Sequence, residues 1–323
     1  MRRLVRTVIL VTLLAVAVYA LLAFVADVRK LGSAVAGFHW PALGAAFALA
    51  FGNYLLRFTK WHYYLRCLDI HLGVVESFFM FLAGFVMAVT PGKFGEVIKS
   101  VLLKERLGIP LSRSAPIVLA ERLTDLIAIL VLSLAGAFTF SYGWIFMIVG
   151  FACTLLIVLA VTVRPFGEAL LGVAARLPLV GRFEAAFRDA YESTSLMACW
   201  NRLLGPVVVS VAAWFCECVA FWLVVRGFGR DAPDLYTATF IYAFSTVAGA
   251  LAMMPGGLGV TEGGLTGLLV EIGPEGLGRA VAVGATILTR IATLWFAVVV
   301  GFVALGVYNR VWLRPRSGPD AGR

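Results

Sequence analysis

The sequence predicts an all-α integral membrane protein, with about six spanning helices and two re-entrant broken hairpins in an inverted repeat. Three observations predict it. The 323 residues are 61% hydrophobic and only 14% charged, whereas a soluble domain carries about a quarter charged residues. Apolar runs of spanning length recur along the whole chain. Two apolar stretches run into proline-glycine breaks, Pro91-Gly92-Lys93-Phe94-Gly95-Glu96 and Pro255-Gly256-Gly257-Leu258-Gly259-Val260-Thr261-Glu262.

The first run, residues 7–26, follows Arg2, Arg3 and Arg6. It lacks a convincing small-x-small cleavage site and reads as an uncleaved anchor. Further spanning segments are expected at 41–60, 115–140, 143–163, 205–226 and 280–308, against the ~20 residues needed to cross. Stretches 72–90 and 235–254 lead into the breaks, and shorter helical stretches, 94–107 and 261–272, follow them. Each pair reads as a hairpin that enters the membrane and returns to the same side. A break at membrane depth frees backbone polar groups that lipid cannot satisfy, so it persists only inside protein or beside a wet cavity. Residues 166–200 mix Arg176, Arg182, Glu184, Arg188, Asp189 and Glu192 with Phe183, Phe187 and Tyr191. They read as cytoplasmic interfacial helices broken at Pro178 and Gly181. Gly84, Gly249, Gly263 and Gly264 are expected to permit close helix packing.

Charge sets the orientation. With a cytoplasmic N-terminus and both hairpins re-entrant, twenty of the 27 basic residues face inward, among them Arg57, Lys60, Lys93 and Lys99. Only Arg29, Lys30, Arg226, Arg230 and Arg279 then face outward, as the positive-inside rule favours. Both termini are therefore expected in the cytoplasm, and the protein in the inner, cytoplasmic membrane. One polytopic domain, 1–323, results. Its units 41–140 and 205–308 run in opposite orientations, each made of a helix, a broken hairpin and an arginine-bearing helix.

Composition also excludes functions. The +9 charge lies in short loops between apolar runs, which suits anionic lipid rather than nucleic acid. The cysteines and the three histidines show no metal spacing. Gly256-Gly257-x-Gly259 has no strand before it, so it is not a dinucleotide fingerprint. No nucleophile-base pair emerges, and neither an enzyme nor a bound cofactor or metal is expected.

The candidate site is the set of polar residues at membrane depth. A charge at the bilayer centre costs ~2.5–3.5 kcal/mol on insertion scales. Glu121, Arg122 and Asp125 lie within one turn and a half of helix 115–140, which implies mutual pairing or a wet cavity. Arg290 lies about ten residues, or ~15 Å, into its helix, with no acid nearby in sequence. Its partner must come from elsewhere or be an anionic ligand. Arg290 is therefore expected to be the more available arginine and Arg122 the more paired one. Lys93, Glu96 and Lys99 follow the first break, where a helix start and lysines favour an anion. Glu217, mid-helix in 205–226, is a candidate proton carrier.

Pro91-Gly92-Lys93-Phe94-Gly95-Glu96-x-x-Lys99, Glu121-Arg122-x-x-Asp125, Pro255-Gly256-Gly257-x-Gly259-x-x-Glu262 and Thr289-Arg290 together resemble the flippase-like membrane domain family. So does the basic-aromatic stretch Arg57-Phe58-Thr59-Lys60-Trp61. That family includes the membrane part of lysylphosphatidylglycerol synthases and stand-alone UPF0104-type proteins. The resemblance covers nearly the whole chain. It implies movement of an anionic or glycosylated lipid between leaflets, with those motif residues lining the lipid site. It does not imply lysyl-lipid synthesis, since the aminoacyl-transferase domain of the fused synthases has no room here. Two alternatives stand beside it: a small-solute transporter coupled to protons through Glu217, and a scaffold for a lipid-modifying enzyme.

Overall fold

The computed structural model describes residues 28–89, 97–134, 163–174, 200–229, 232–252, 254–274 and 277–313, with scattered single positions between 18 and 160. Among these residues the fold is all-helical, with no strand. The expected spans 7–26 and 143–163 fall mostly outside the described residues, as does most of the interfacial segment 166–200. The first break falls outside them too, and with it Pro91, Gly92, Lys93, Gly95 and Glu96.

Eleven α-helices are described. A short helix, α1 (Val28–Ala36), precedes α2 (Trp40–Cys67), whose first turn carries Pro41, where a missing N–H costs nothing. Helix α3 (Val74–Ala83) tightens into a 3₁₀ turn, Gly84–Met87, towards the first break. After the break come α4 (Ile98–Leu107), ended by left-handed Gly108, and α5 (Leu111–Leu134). Helix α6 (Arg164–Ala174) leads towards α7 (Trp200–Arg226). Asp234 caps α8 (Leu235–Leu251), accepting from the Thr237 N–H at 2.9 Å and the Thr237 hydroxyl at 3.0 Å. The second break, Pro255–Gly257, precedes α9 (Val260–Ile272). Helix α10 (Arg279–Arg290) continues through a π-helical turn, Ile291–Trp295, into α11 (Phe296–Tyr308).

Among the described residues, three helices are long and apolar enough to cross a membrane: Trp40–Cys67, Leu203–Arg226 and Arg279–Leu313. Helices Val74–Met87 and Leu235–Leu251 are apolar but shorter. Helix α5 has 24 residues but carries Glu121, Arg122 and Asp125.

Packing is reciprocal. Helices α2 and α7, each the first long helix of one expected unit, lie against each other. Helix α5 packs on α8, and α11 packs on α3 and its 3₁₀ turn. The third helix of either unit therefore covers the arm that leads into the other unit's break. One core gathers Trp214, Phe221, Ile241 and Ala285 where α7, α8 and α10 meet. Another gathers Tyr54, Trp61, Phe81 and Tyr308 from α2, α3 and α11.

Small residues make two of these approaches possible. A Cβ at Gly249 would collide with the Thr261 hydroxyl, so the arms of the second hairpin close only over a glycine. A Cβ at Gly84 would meet the aliphatic stem of Lys99 at 2.9 Å. Gly264 likewise abuts Ser245, but Gly263 faces open space, so the packing role expected there does not hold.

Candidate functional site

The second break is held by its own backbone and one arginine. Gly256, Gly257 and Gly259 take φ of 62°, 71° and 86°, a left-handed region that side chains resist. Glu262, three residues into α9, accepts the Gly259 N–H through Oε2 at 2.7 Å, as the acid of a capping box does. Its other oxygen, Oε1, accepts Arg290 Nε at 2.7 Å. Arg290 Nη2 donates to the Gly256 carbonyl at 2.5 Å. Arg290 thus ties both sides of the break to α10 and satisfies a carbonyl that lipid could not. The π-helical turn starts directly after it, and Tyr54 Oη donates to the Thr293 carbonyl in that turn at 3.2 Å.

The first half centres on Asp125. Its Oδ1 accepts Lys60 Nζ at 2.6 Å and Ser210 Oγ at 3.1 Å. Its Oδ2 faces Arg122 Nη2 at 3.2 Å and Arg57 Nη2 at 3.5 Å. Lys60 also donates to Thr124 Oγ1 at 3.0 Å and Ser210 Oγ at 2.7 Å. One carboxylate therefore joins α2, α5 and α7. One turn earlier on α5, Glu121 binds Lys99 Nζ at 2.5 Å. The ammonium lies 4.5 Å from the Trp61 ring centre, where the ring face attracts a cation.

Two cavities open between the halves. The larger, of about 390 Å³, is lined by Arg122 and Asp125 from α5 and by Gly256, Gly257 and Arg290 from the other half. Most of the remaining wall is apolar: Leu119, Leu126, Ile129, Trp214, Val247, Met254 and Leu294. This size and mix suit an amphiphile with one charged end. Its rim residues Leu119 and Met254 are 42% and 38% exposed, so the opening is bordered by apolar side chains. The smaller cavity, of about 50 Å³, has the larger polar share, lined by Tyr54, Arg57, Glu217, Tyr242 and Arg290 among others. There Tyr242 Oη donates to Glu217 Oε2 at 2.5 Å.

Of the predicted site residues, Arg122, Asp125, Gly256, Gly257 and Arg290 come together around the larger chamber. Glu121, Lys99, Glu262 and Gly259 hold its frame by their own bonds, and Pro255 opens the break. Both arginines are ion-paired, and Arg290 is not the more available one: its side chain is 9% exposed, whereas that of Arg122, bound by Asp125, is 23% exposed. The cause is Glu262, whose carboxylate reaches Arg290 across the second hairpin from 28 positions upstream. Arg57, Lys60 and Lys99 are buried, the first two paired with Asp125 and the third with Glu121. Tyr54, Ser210, Trp214 and Tyr242 belong to the site without any sequence signal. Hydroxyls and rings in apolar helices are too common to mark one.

The fold and site together define a polytopic helical membrane protein with a charged centre between two halves. A family model, that of the lysylphosphatidylglycerol synthase TM region, matches residues 12–301. The chain belongs to that family. It is similar to a UPF0104 membrane protein of Methanothermobacter thermautotrophicus, 26% identical over 275 residues, which cover 77% of this chain and 80% of the relative. A UPF0104 membrane protein of Pyrococcus horikoshii is 22% identical over 273 residues, 75% of this chain and 80% of the relative.

Proposed function

We propose that this protein moves an anionic lipid between the leaflets of the cytoplasmic membrane. One observation carries the reading: a single chamber lined by Arg122 and Arg290, one from each half, within a mostly apolar wall. The arginines suit a phosphate, since a planar guanidinium donates two parallel hydrogen bonds. The apolar wall suits an acyl chain. The exposed Leu119 and Met254 at the rim favour an opening towards lipid over one sealed from it, which a small solute would need. The protein acts as a carrier rather than an enzyme, with the lipid as its partner.

The architecture that goes with this function has six spans and two re-entrant hairpins, with both termini cytoplasmic. The two halves form an inverted repeat. The reciprocal packing of α5 on α8 and of α11 on α3 supports the repeat, because a pseudo-two-fold axis pairs equivalent elements in this way. The ion pairs Lys99–Glu121 and Glu262–Arg290 occupy corresponding places and support it too.

Reconstitution tests the function. The full chain is placed in vesicles with a trace of fluorescent phosphatidylglycerol, and dithionite is added outside. The reading expects bleaching beyond the fraction lost in empty vesicles. Bleaching no greater than in empty vesicles, for this lipid and for a fluorescent glycolipid, would sink it.

A further inference from the structure

We infer that water molecules bind in a buried polar seam between α2, α4 and α5 and complete the hydrogen bonding around the Lys99–Glu121 pair. This site stands independently of the lipid reading above. Trp61 and Tyr64 of α2, Lys99 and Ser100 of α4, and Ser114 and Glu121 of α5 are all buried. Trp61 and Tyr64 share one core with Leu102 and Leu103 of α4 and with Ile117 and Ala120 of α5, so the three helices close on one another here. Lys99 Nζ binds Glu121 Oε2 at 2.5 Å and lies 4.5 Å from the Trp61 ring centre. The Tyr64 hydroxyl is within electrostatic reach of the Glu121 carboxylate.

Five buried atoms of the seam have no hydrogen-bond partner among the described residues: Trp61 Nε1, Tyr64 Oη, Ser100 Oγ, Ser114 Oγ and Glu121 Oε1. A buried polar atom without a bond is costly, and five at one junction of helices call for a shared explanation. The second half closes the corresponding pair with protein donors alone. There Glu262 accepts Arg290 Nε on one oxygen and the Gly259 N–H on the other. Glu121 has Lys99 on one oxygen only.

The five atoms define their occupant. Trp61 Nε1 can only donate, a carboxylate oxygen can only accept, and the three hydroxyls do either. The occupant must therefore both donate and accept. An anion would meet the Glu121 carboxylate, and a metal cation would meet the Lys99 ammonium. Water suits both, and a buried water takes two to four polar partners. The spacing also suits it. Ser114 and Glu121 stand seven positions apart on one face of α5, about 10 Å along the axis. The glutamate side chain leans back towards Ser114, as helical side chains do, which leaves an interval that bridging water spans. Trp61, Tyr64, Leu103 and Ile117 have no exposed surface, so the seam is closed to larger molecules.

Two measurements on the full chain in phosphatidylcholine nanodiscs test this. X-ray radiolysis splits bound water in place and hydroxylates the side chains around it, which mass spectrometry locates. After correction for the intrinsic reactivity of each ring, Trp61 and Tyr64 should be labelled several times faster than Phe240, which is buried in the other core. The second measurement is thermal unfolding of Tyr64→Phe, which keeps the ring and deletes the hydroxyl. A hydroxyl that holds water contributes a hydrogen bond, so the variant should melt lower by about 2 °C. A dry, unbonded hydroxyl is a liability, and its removal would leave the melting temperature unchanged or raise it. Labelling of Trp61 and Tyr64 no faster than that of Phe240 overturns the water site, and so does an unchanged or higher melting temperature in Tyr64→Phe.

Discussion

Arg290 binds Glu262 at 2.7 Å, tying the helix after the second break to the helix that follows it. Lys99 and Glu121 make the same connection in the first half at 2.5 Å, with the cation and the anion exchanged. The Arg290–Glu262 pair, with the bond from Arg290 to the Gly256 carbonyl, fixes the geometry of the second break from a neighbouring helix. A buried pair of this kind stabilises little against an apolar replacement, yet losing one member leaves a charge without compensation.

Removing Glu262 alone should therefore be costly. Glu262→Gln is expected to destabilise the protein by about 3–5 kcal/mol, and Arg290→Met should do the same. The double variant Glu262→Gln/Arg290→Met should cost less than the sum of the two single losses. Thermal unfolding of the detergent-solubilised chain measures this, and additive losses in the double variant would show that the two residues do not act as a pair.

Lys60 should matter more than its hydroxyl neighbours. Its ammonium binds Asp125, Thr124 and Ser210 at once. Lys60→Met is expected to cost on the order of 3 kcal/mol, and Ser210→Ala about 1 kcal/mol. Equal losses in the two variants would place the stability elsewhere.

The second hairpin depends on Gly249. Gly249→Ala drives a methyl into the Thr261 hydroxyl and should cost about 1–3 kcal/mol. Adding Thr261→Ala should recover part of that loss, since it removes the nearest obstacle. Folded yield by size-exclusion chromatography is the readout, and an unaltered yield for Gly249→Ala would contradict the close approach.

Asp234 gives a pH dependence with a definite sign. The Thr237 N–H and hydroxyl hold its carboxyl below the ordinary 3.8. Its folded-state pKa is thus depressed, so the cap stabilises α8 above that ordinary value and loses its effect as pH falls through the folded value. Asp234→Ala should cost about 1 kcal/mol at neutral pH and progressively less as the pH falls through the folded-state value. A loss that does not shrink with falling pH would rule out the charged cap.

The membrane class and the second break were legible because composition and proline-glycine signals are local. Burial of Asp125, Glu217 and Arg290 in apolar helices was legible for the same reason. Pairing was not. Glu262 and Arg290 are 28 positions apart, and Lys60 and Asp125 are 65 apart, so only the folded packing of α9 on α10 and of α2 on α5 brings them together. The burial of Lys60 and Arg57 was not legible either: both lie near the end of the expected span 41–60, and α2 runs on to Cys67 with both side chains buried. Helix α1 was unforeseen because residues 28–36 mix Arg29 and Lys30 with small residues and lack any buried face.

The most direct test of the account is lipid movement by Arg122→Gln in reconstituted vesicles. Asp125 keeps Lys60 and Arg57 as partners when Arg122 is lost, so the variant should fold with wild-type yield. Its chamber loses the more exposed of the two guanidiniums, a charge-assisted contact whose absence should slow fluorescent phosphatidylglycerol movement roughly tenfold or more. Arg122→Lys should fall between the two. A well-folded Arg122→Gln that moves the lipid at the wild-type rate would contradict the account.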